Sequence, residues 1–401
     1  MKILSILNIS NRDNIECDSG YIFQCILANC FIVAGDKYIV AGSDCDQFRK
    51  AKGLKTTKKY IKLGTNKYSS RFDFDSAEIS KLILSTKPDI IFNTQAELTS
   101  AIRSVLVWNK LDIPLVTYCH YPALWANNPN SDTPELDGSL NTHNLGQSIV
   151  FDILGALQTS DLFIIQSKFA KSLIEKAAKY HNVVYNKQKF VVIPPPADPD
   201  FLSNKYLSTT VDGKNFVYNH RLYKTYGTGD FIKLYQEIYR KFGIKCTVLD
   251  PMNNRSDVRQ KQNPTPFIFK QEMTDMGCFD TSADNSTRKK YKNILINSIA
   301  CFAPLRRACV WSMACVDSMG LGIPVIAPRM AAYSEFVPSY LLYRNKAELY
   351  KIINSLIYDE KFRGKASKEC FRTASSLSGD IITTCLRNHF KKLLDSKKCV
   401  A

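Results

Sequence analysis

The sequence contains no C-x-x-C pair, although thirteen cysteines, an odd number, are scattered along its 401 residues. That spacing suggests neither a disulfide framework nor a zinc module, and a reducing cytoplasm fits it best. No run of eighteen apolar residues occurs; the nearest, around Tyr21 to Ala34, is broken by Gln24 and Asn29, so neither a transmembrane helix nor membrane insertion is expected. The apolar opening Met1 to Ser10 carries one lysine and meets Asn11, Arg12, Asp13 and Asn14 at once. It therefore reads as a first strand and not as a secretion signal. No internal repeat or low-complexity segment is evident. Acid is in short supply, and the formal net charge of +17 favours an anionic partner: nucleic acid, a nucleotide ligand or an anionic membrane surface. A merely soluble basic protein is the plainer alternative.

A chain of this length exceeds what one hydrophobic core usually serves, so two domains are expected. Strands Lys2 to Ile9 and Lys37 to Ala41 flank a polar loop, NRDNIECDSG, and a helix from Tyr21 to about Phe31. In open α/β sheets ligands sit beyond the carboxyl ends of strands, and a helix start favours phosphate. Gly20 is suitably placed for close approach there, or for a plain turn; Glu16 and Asp18 share the loop. Helix and strand then alternate through Asp75–Ser85, Asp89–Asn93, Leu98–Lys110, Leu115–Cys119, Gln147–Thr159, Asp161–Ser167 and Lys168–Tyr180, which indicates a parallel sheet. His120 falls at the end of its strand, either as a ligand-facing group or as a buried histidine satisfied by backbone.

Arg49 to Arg71 holds nine basic residues and no acid, with Tyr60 and Tyr68 among them. It reads as a solvated surface around a strand, or as a face for a nucleic-acid backbone on which Lys52, Lys55, Lys58, Lys59 and Lys62 would release counterions. The polar stretch Ala123 to Asn144 is long enough to be functional, an acceptor loop on which Trp125 either stacks on a base or sugar or anchors the loop. Arg288-Lys-Lys-Tyr-Lys292 reads as an exposed helix face, Tyr333 to Leu341 as sheet and loop, and Lys361 to Lys398 as basic helical material.

The most informative stretch is Trp311 to Pro328, WSMACVDSMGLGIPVIAP. Trp311 to Met319 can be helical, Gly320 and Gly322 end the helix, Pro324 blocks its resumption, and Ile323 to Ala327 is a strand. Asp-Ser-Met-Gly-x-Gly-x-Pro-Val-Ile-Ala closely resembles the donor segment of retaining glycosyltransferases of the GT-B fold, usually worded Glu-Ala-Met-Ala-x-Gly-x-Pro-Val-Ile-Ala. Asp317 is one methylene shorter than that Glu, and Cys309 stands eight positions earlier, where the family commonly carries a second Glu. His120 after its strand, Asp161 to Ser167, the segment Phe190 to Asp198 and the strand delivering Arg221 follow the same family order.

The resemblance implies an α/β GT-B protein, two Rossmann-like domains facing an interdomain cleft: an acceptor domain over 1–195, a nucleotide-sugar domain over 196–370, and a basic helix over 371–401 returning to the first. It implies a UDP-sugar as co-substrate, with no metal or other cofactor. Arg221, Lys224, Arg306 or Arg307 would hold the diphosphate, Asp317 with Ser318 and Met319 the ribose side, Gly20 the loop approach and His120 the sugar. Asp18 is the candidate base or acceptor-orienting group. A strand-end histidine with a strongly basic surface also resembles the phage DNA α-glucosyltransferases, which implies a hydroxymethylated DNA base as acceptor, a monomer, and an infected bacterial cytoplasm. A polysaccharide, lipid or protein acceptor is the alternative, and an inactive nucleic-acid-binding relative is the non-enzymatic one.

Overall fold

The computed structural model describes every residue except 8–14, 64–68, 121, 123, 125–129, 132–144, 208–214, 250–263 and 399–401. Trp125, Tyr68 and most of the expected acceptor loop lie outside the described residues. The chain divides into two compact units, Met1–Pro196 with Gly379–Ala401, and Ala197–Ser378.

In the first unit, β1 (Lys2–Leu7), β2 (Lys37–Ser43), β3 (Thr57–Ile61), β4 (Ile90–Asn93), β5 (Leu115–Cys119), β6 (Leu162–Ile165) and β7 (Phe190–Val192) form one sheet in the order β3-β2-β1-β4-β5-β6-β7. Every pairing is parallel. The strands inside this sheet are covered on both faces, which is why they read as nearly continuous apolar runs, whereas edge strand β3, Thr-Lys-Lys-Tyr-Ile, is largely exposed. The order reverses between β1 and β4, and ligands in such sheets sit at the carboxyl ends near that reversal. The helix Gly379–Lys398 packs on helix Ser19–Val33: Phe390 stacks on Phe31 at 5.8 Å, and Arg387 Nε donates to Asp36 Oδ2 at 2.7 Å.

The second unit repeats the plan with β8 (Asn215–Tyr218), β9 (Cys246–Val248), β10 (Phe279–Asp280), β11 (Ser298–Phe302), β12 (Val325–Pro328) and β13 (Leu342–Tyr343), in the order β10-β9-β8-β11-β12-β13. All are parallel, and the reversal falls between β8 and β11. Tyr218 stacks on Phe231 at 4.3 Å, with Tyr235, Phe279 and Phe302 completing an aromatic core. The expected fold class, two Rossmann-like α/β halves, is the one the chain adopts.

Three local expectations change. The helix expected from Trp311 begins at Met313, because Ser312 caps it: its Oγ accepts from Cys315 N at 3.3 Å, leaving Trp311 outside. Tyr333–Phe336 is a helical turn and Ser339–Leu341 a 3₁₀ turn, where sheet and loop were expected; Tyr333 is fully buried and its hydroxyl donates to Pro304 O at 2.9 Å. The face expected to be exposed on helix Arg288–Ile296 is engaged by the start of the second unit: Lys292 Nζ donates to Asp200 O at 2.6 Å.

Candidate functional site

At the carboxyl edge of the second sheet, β8 delivers Asn219, His220 and Arg221, and β11 delivers Leu305, Arg306 and Arg307. The two loops are held together at Gly227, whose φ is +65°, and a Cβ there would lie 2.6 Å from Leu305 O. Only glycine meets both demands without strain. Arg306 is 9% exposed, with its guanidinium 4.7 Å from the Tyr226 ring centre. Arg221, Lys224 and Arg307 are exposed. Gly227 gives helix Thr228–Phe242 no side-chain cap, so its first N–H groups carry the partial positive charge of a helix start into this basic loop. The arrangement suits an anionic ligand.

His220 is 5% exposed; burial, then the Arg306 charge, pushes it down to about 3, so it is a neutral imidazole. Its Nε2 lies 3.8 Å from Cys315 Sγ. Asn219 ties three elements together: its Nδ2 donates to Tyr291 Oη at 2.7 Å and Ala314 O at 3.0 Å, while Cys301 Sγ donates to Asn219 Oδ1 at 3.0 Å.

Asp317 sits on helix Met313–Gly320 within this network, half-buried. Burial, and then the neighbouring Asp198 carboxylate, push it well above the usual carboxylate range, against the Arg288 charge and the Tyr291 hydroxyl bond. Arg288 in turn pairs with Asp198 and, at 3.1 Å, with Asp200. Two carboxylates therefore share one guanidinium. Ser318 and Met319 are fully buried, and Ser318 Oγ donates to Ala314 O at 3.1 Å. Their side chains belong to the packing that fixes Asp317. Cys309, 1% exposed, packs in the core.

In the first unit Asp18 is the N-cap of helix Ser19–Val33, accepting from Gly20 N at 3.0 Å and Tyr21 N at 3.1 Å. A Cβ on Gly20 would lie 3.1 Å from that carboxylate. His120 follows β5, its ring edge-on to Phe23 at 4.5 Å and tilted against Tyr118 at 4.8 Å. Burial pushes it down to about 4, leaving it neutral near neutral pH.

The basic run lies on and beside edge strand β3. Its missing acids arrive from elsewhere in the chain: Arg49 pairs with Asp44, Lys50 with Asp46 and Arg71 with Glu97, while the Lys52 N–H donates to Glu16 Oε1 at 2.9 Å. Lys58, expected at a nucleic-acid face, turns inward and donates to Ala51 O at 2.7 Å and Phe48 O at 3.0 Å. Burial lowers its pKa from the ordinary lysine value. Lys52, Lys55, Lys59 and Lys62 stay exposed.

Sequence reasoning missed Asn219, His220, Asp198, Arg288 and Tyr291. For the first two, a signal was available in their position directly after a central strand. For the others there was none, since their partnership joins segments about ninety residues apart. Among the described residues, no group of three or more His, Cys, Asp or Glu is placed to hold a metal, and no helix is long and apolar enough to cross a membrane.

No protein-family model and no curated protein matches the sequence. Solved structures match its fold along the whole chain. Sucrose-phosphate synthase from Thermosynechococcus elongatus is 12% identical over 99% of this chain and 100% of that one, with a TM-score of 0.69. A glycosyltransferase from Rickettsia africae is 12% identical over 98% of each chain, TM-score 0.66. HepE from Anabaena, solved in complex with UDP and glucose, is 14% identical over 98% of this chain and 99% of that one, TM-score 0.65. At such identities the likeness is one of fold, and the fold is GT-B.

Proposed function

We propose that the protein is a glycosyltransferase that moves a sugar from a UDP-sugar to a hydroxyl acceptor. The observation that carries this is the meeting, at the carboxyl edge of one doubly wound sheet, of exposed Arg221 and Lys224 with buried Arg306, within a fold shared with structures solved around UDP and glucose. Breaking the glycosidic bond builds negative charge on the departing diphosphate. Fixed guanidinium and ammonium groups and an uncapped helix start stabilise that charge more in the transition state than in the ground state. In this scheme Asp317 receives the ribose hydroxyls, Arg288 and Tyr291 hold it in place, and neutral His120 hydrogen-bonds the sugar. Asp18, the N-cap of helix Ser19–Val33, serves as the base or orients the acceptor.

For the acceptor, the net charge of +17 and the exposed Lys52, Lys55, Lys59 and Lys62 favour a hydroxyl on a modified base in DNA. Against that stand the acids that neutralise much of the rest of the basic run. The test pairs a panel of UDP-sugars with DNA containing hydroxymethylated pyrimidines and with free sugar and glycan acceptors, reading UDP release and product mass. A sugar-sized mass gain on DNA supports the full reading. Transfer to glycan alone moves the acceptor to carbohydrate, and no UDP release with any pair leaves a binding protein. Four lysine–phosphate contacts also imply a log–log salt slope for duplex binding of about −3 to −4; a flat dependence removes DNA.

A further inference from the structure

The first unit holds two orphaned polar atoms side by side that the scheme above leaves unexplained. Register pairs Cys119 of β5 with Ile165 of β6, so His120 and Gln166 are the next neighbours across the two strands, on the same side of the sheet at its carboxyl end. Gln166 is 3% exposed. Its Nε2 donates to the His120 carbonyl oxygen. A carbonyl only accepts, so this bond fixes which end of the amide is which and leaves Oε1 as an acceptor. That Oε1, and His120 Nε2, are shielded from solvent and find no hydrogen-bond partner among the described residues. Buried polar atoms are nearly always paired, and two orphans on adjacent strand ends call for a third party. Burial keeps the imidazole neutral, so its Nε2 either donates or accepts, and the third party needs no charge of its own. It must donate to an amide oxygen and also meet an imidazole nitrogen. A hydroxyl does both.

We propose that Gln166 is a specificity-determining residue, which with His120 reads one hydroxyl of the sugar carried by the nucleotide donor. The proposal rests on the glycosyltransferase reading and deepens it. His120 is half-buried as a residue and stands just past the carboxyl end of β5, where ligands of such sheets sit. A pocket built to hydrogen-bond a hydroxyl rejects the analogue lacking it far more strongly than a hydrophobic pocket rejects a missing methylene, because the buried partners are then left unpaired.

The test takes the UDP-hexose turned over fastest, beginning with UDP-glucose, and its monodeoxy analogues. One deoxy position should lower kcat/KM by about a hundredfold or more. Gln166→Leu should bring the parent down towards the analogue, narrowing that ratio at least tenfold while leaving the analogue within about threefold, with circular dichroism verifying the fold. Calorimetric binding of the same series to the unsubstituted protein serves if the variant does not fold. If no deoxy position weakens binding or turnover tenfold, or if Gln166→Leu keeps the full ratio, the orphans face only trapped water and the proposal falls. UDP-hexoses that neither bind nor turn over remove the glycosyltransferase reading and this proposal with it, whereas binding with unchanged discrimination removes this proposal alone.

Discussion

Arg288→Met probes the centre of the second unit, because it strips the shared cation from two carboxylates at once. Asp198 has a side chain 7% exposed and loses its guanidinium partner, while Asp317 remains close by. Removing one member of a fully buried ion pair costs about 3–5 kcal/mol. The Arg288 side chain is 37% exposed, so solvent screening lowers the expected loss to about 2 kcal/mol. The contact with Asp200, 71% exposed, adds nothing measurable. Asp198→Asn keeps the Oδ1 that accepts from Asp200 N at 3.0 Å but discharges the site. In the Arg288→Met background it should therefore restore about 1 kcal/mol, where independent effects would only add. Urea midpoints for the four proteins complete the cycle, and UDP titration calorimetry on the same samples should show the single Arg288 variant binding more weakly than the double. A double variant whose loss equals the sum of the singles refutes the shared-cation account.

Asp317→Asn should show a pH-dependent difference. The folded pKa of Asp317 lies above its unfolded value of about 3.9, so the carboxylate costs nothing at lower pH and its penalty grows as pH rises through the raised pKa. The Asn variant should gain on the wild type from pH 4 upward, by at most about 1.4 kcal/mol per pH unit, less for partial exposure; parallel urea midpoints across pH would count against it. Gly227→Ala should cost about 2–4 kcal/mol, from positive φ plus the clash with Leu305 O, whereas Gly243→Ala, at φ +69° with nothing within 4 Å, should cost about 1 kcal/mol. Equal urea-midpoint losses would show that the two loops do not press together at Gly227. Arg221→Ala should lower turnover at least about a hundredfold with the best UDP-sugar, and an unchanged rate excludes Arg221 from the diphosphate site.

Much of the architecture was legible because central parallel strands, covered on both faces, are apolar at most positions. Leu115–Cys119 and Lys168–Tyr180 fall on the expected bounds, as does the order of alternating elements that defines two Rossmann-like sheets. Helix ends were less legible: Ser312 caps its helix so that it starts two residues later than the absence of glycine and proline alone suggested. The run Arg49 to Arg71 looked uncompensated because the count stopped at its ends: Asp44 and Asp46 lie just ahead of it and pair with Arg49 and Lys50, while Glu97 reaches Arg71 through space. The orphaned Gln166 and His120 atoms are likewise invisible in one dimension, being a property of neighbouring strand ends.

Sequence alone determined the class of fold and the candidacy of Trp311 to Pro328, since local propensity, glycine placement and apolar runs act over a few residues and leave a readable pattern. Tertiary structure decided what Asp317 is: a third acid near the Arg288 guanidinium that Asp198 and Asp200 already pair with, with Tyr291 hydrogen-bonded beside it. A carboxylate's chemistry depends on its burial and on the charges within a few ångströms, and those come from segments far apart in the chain.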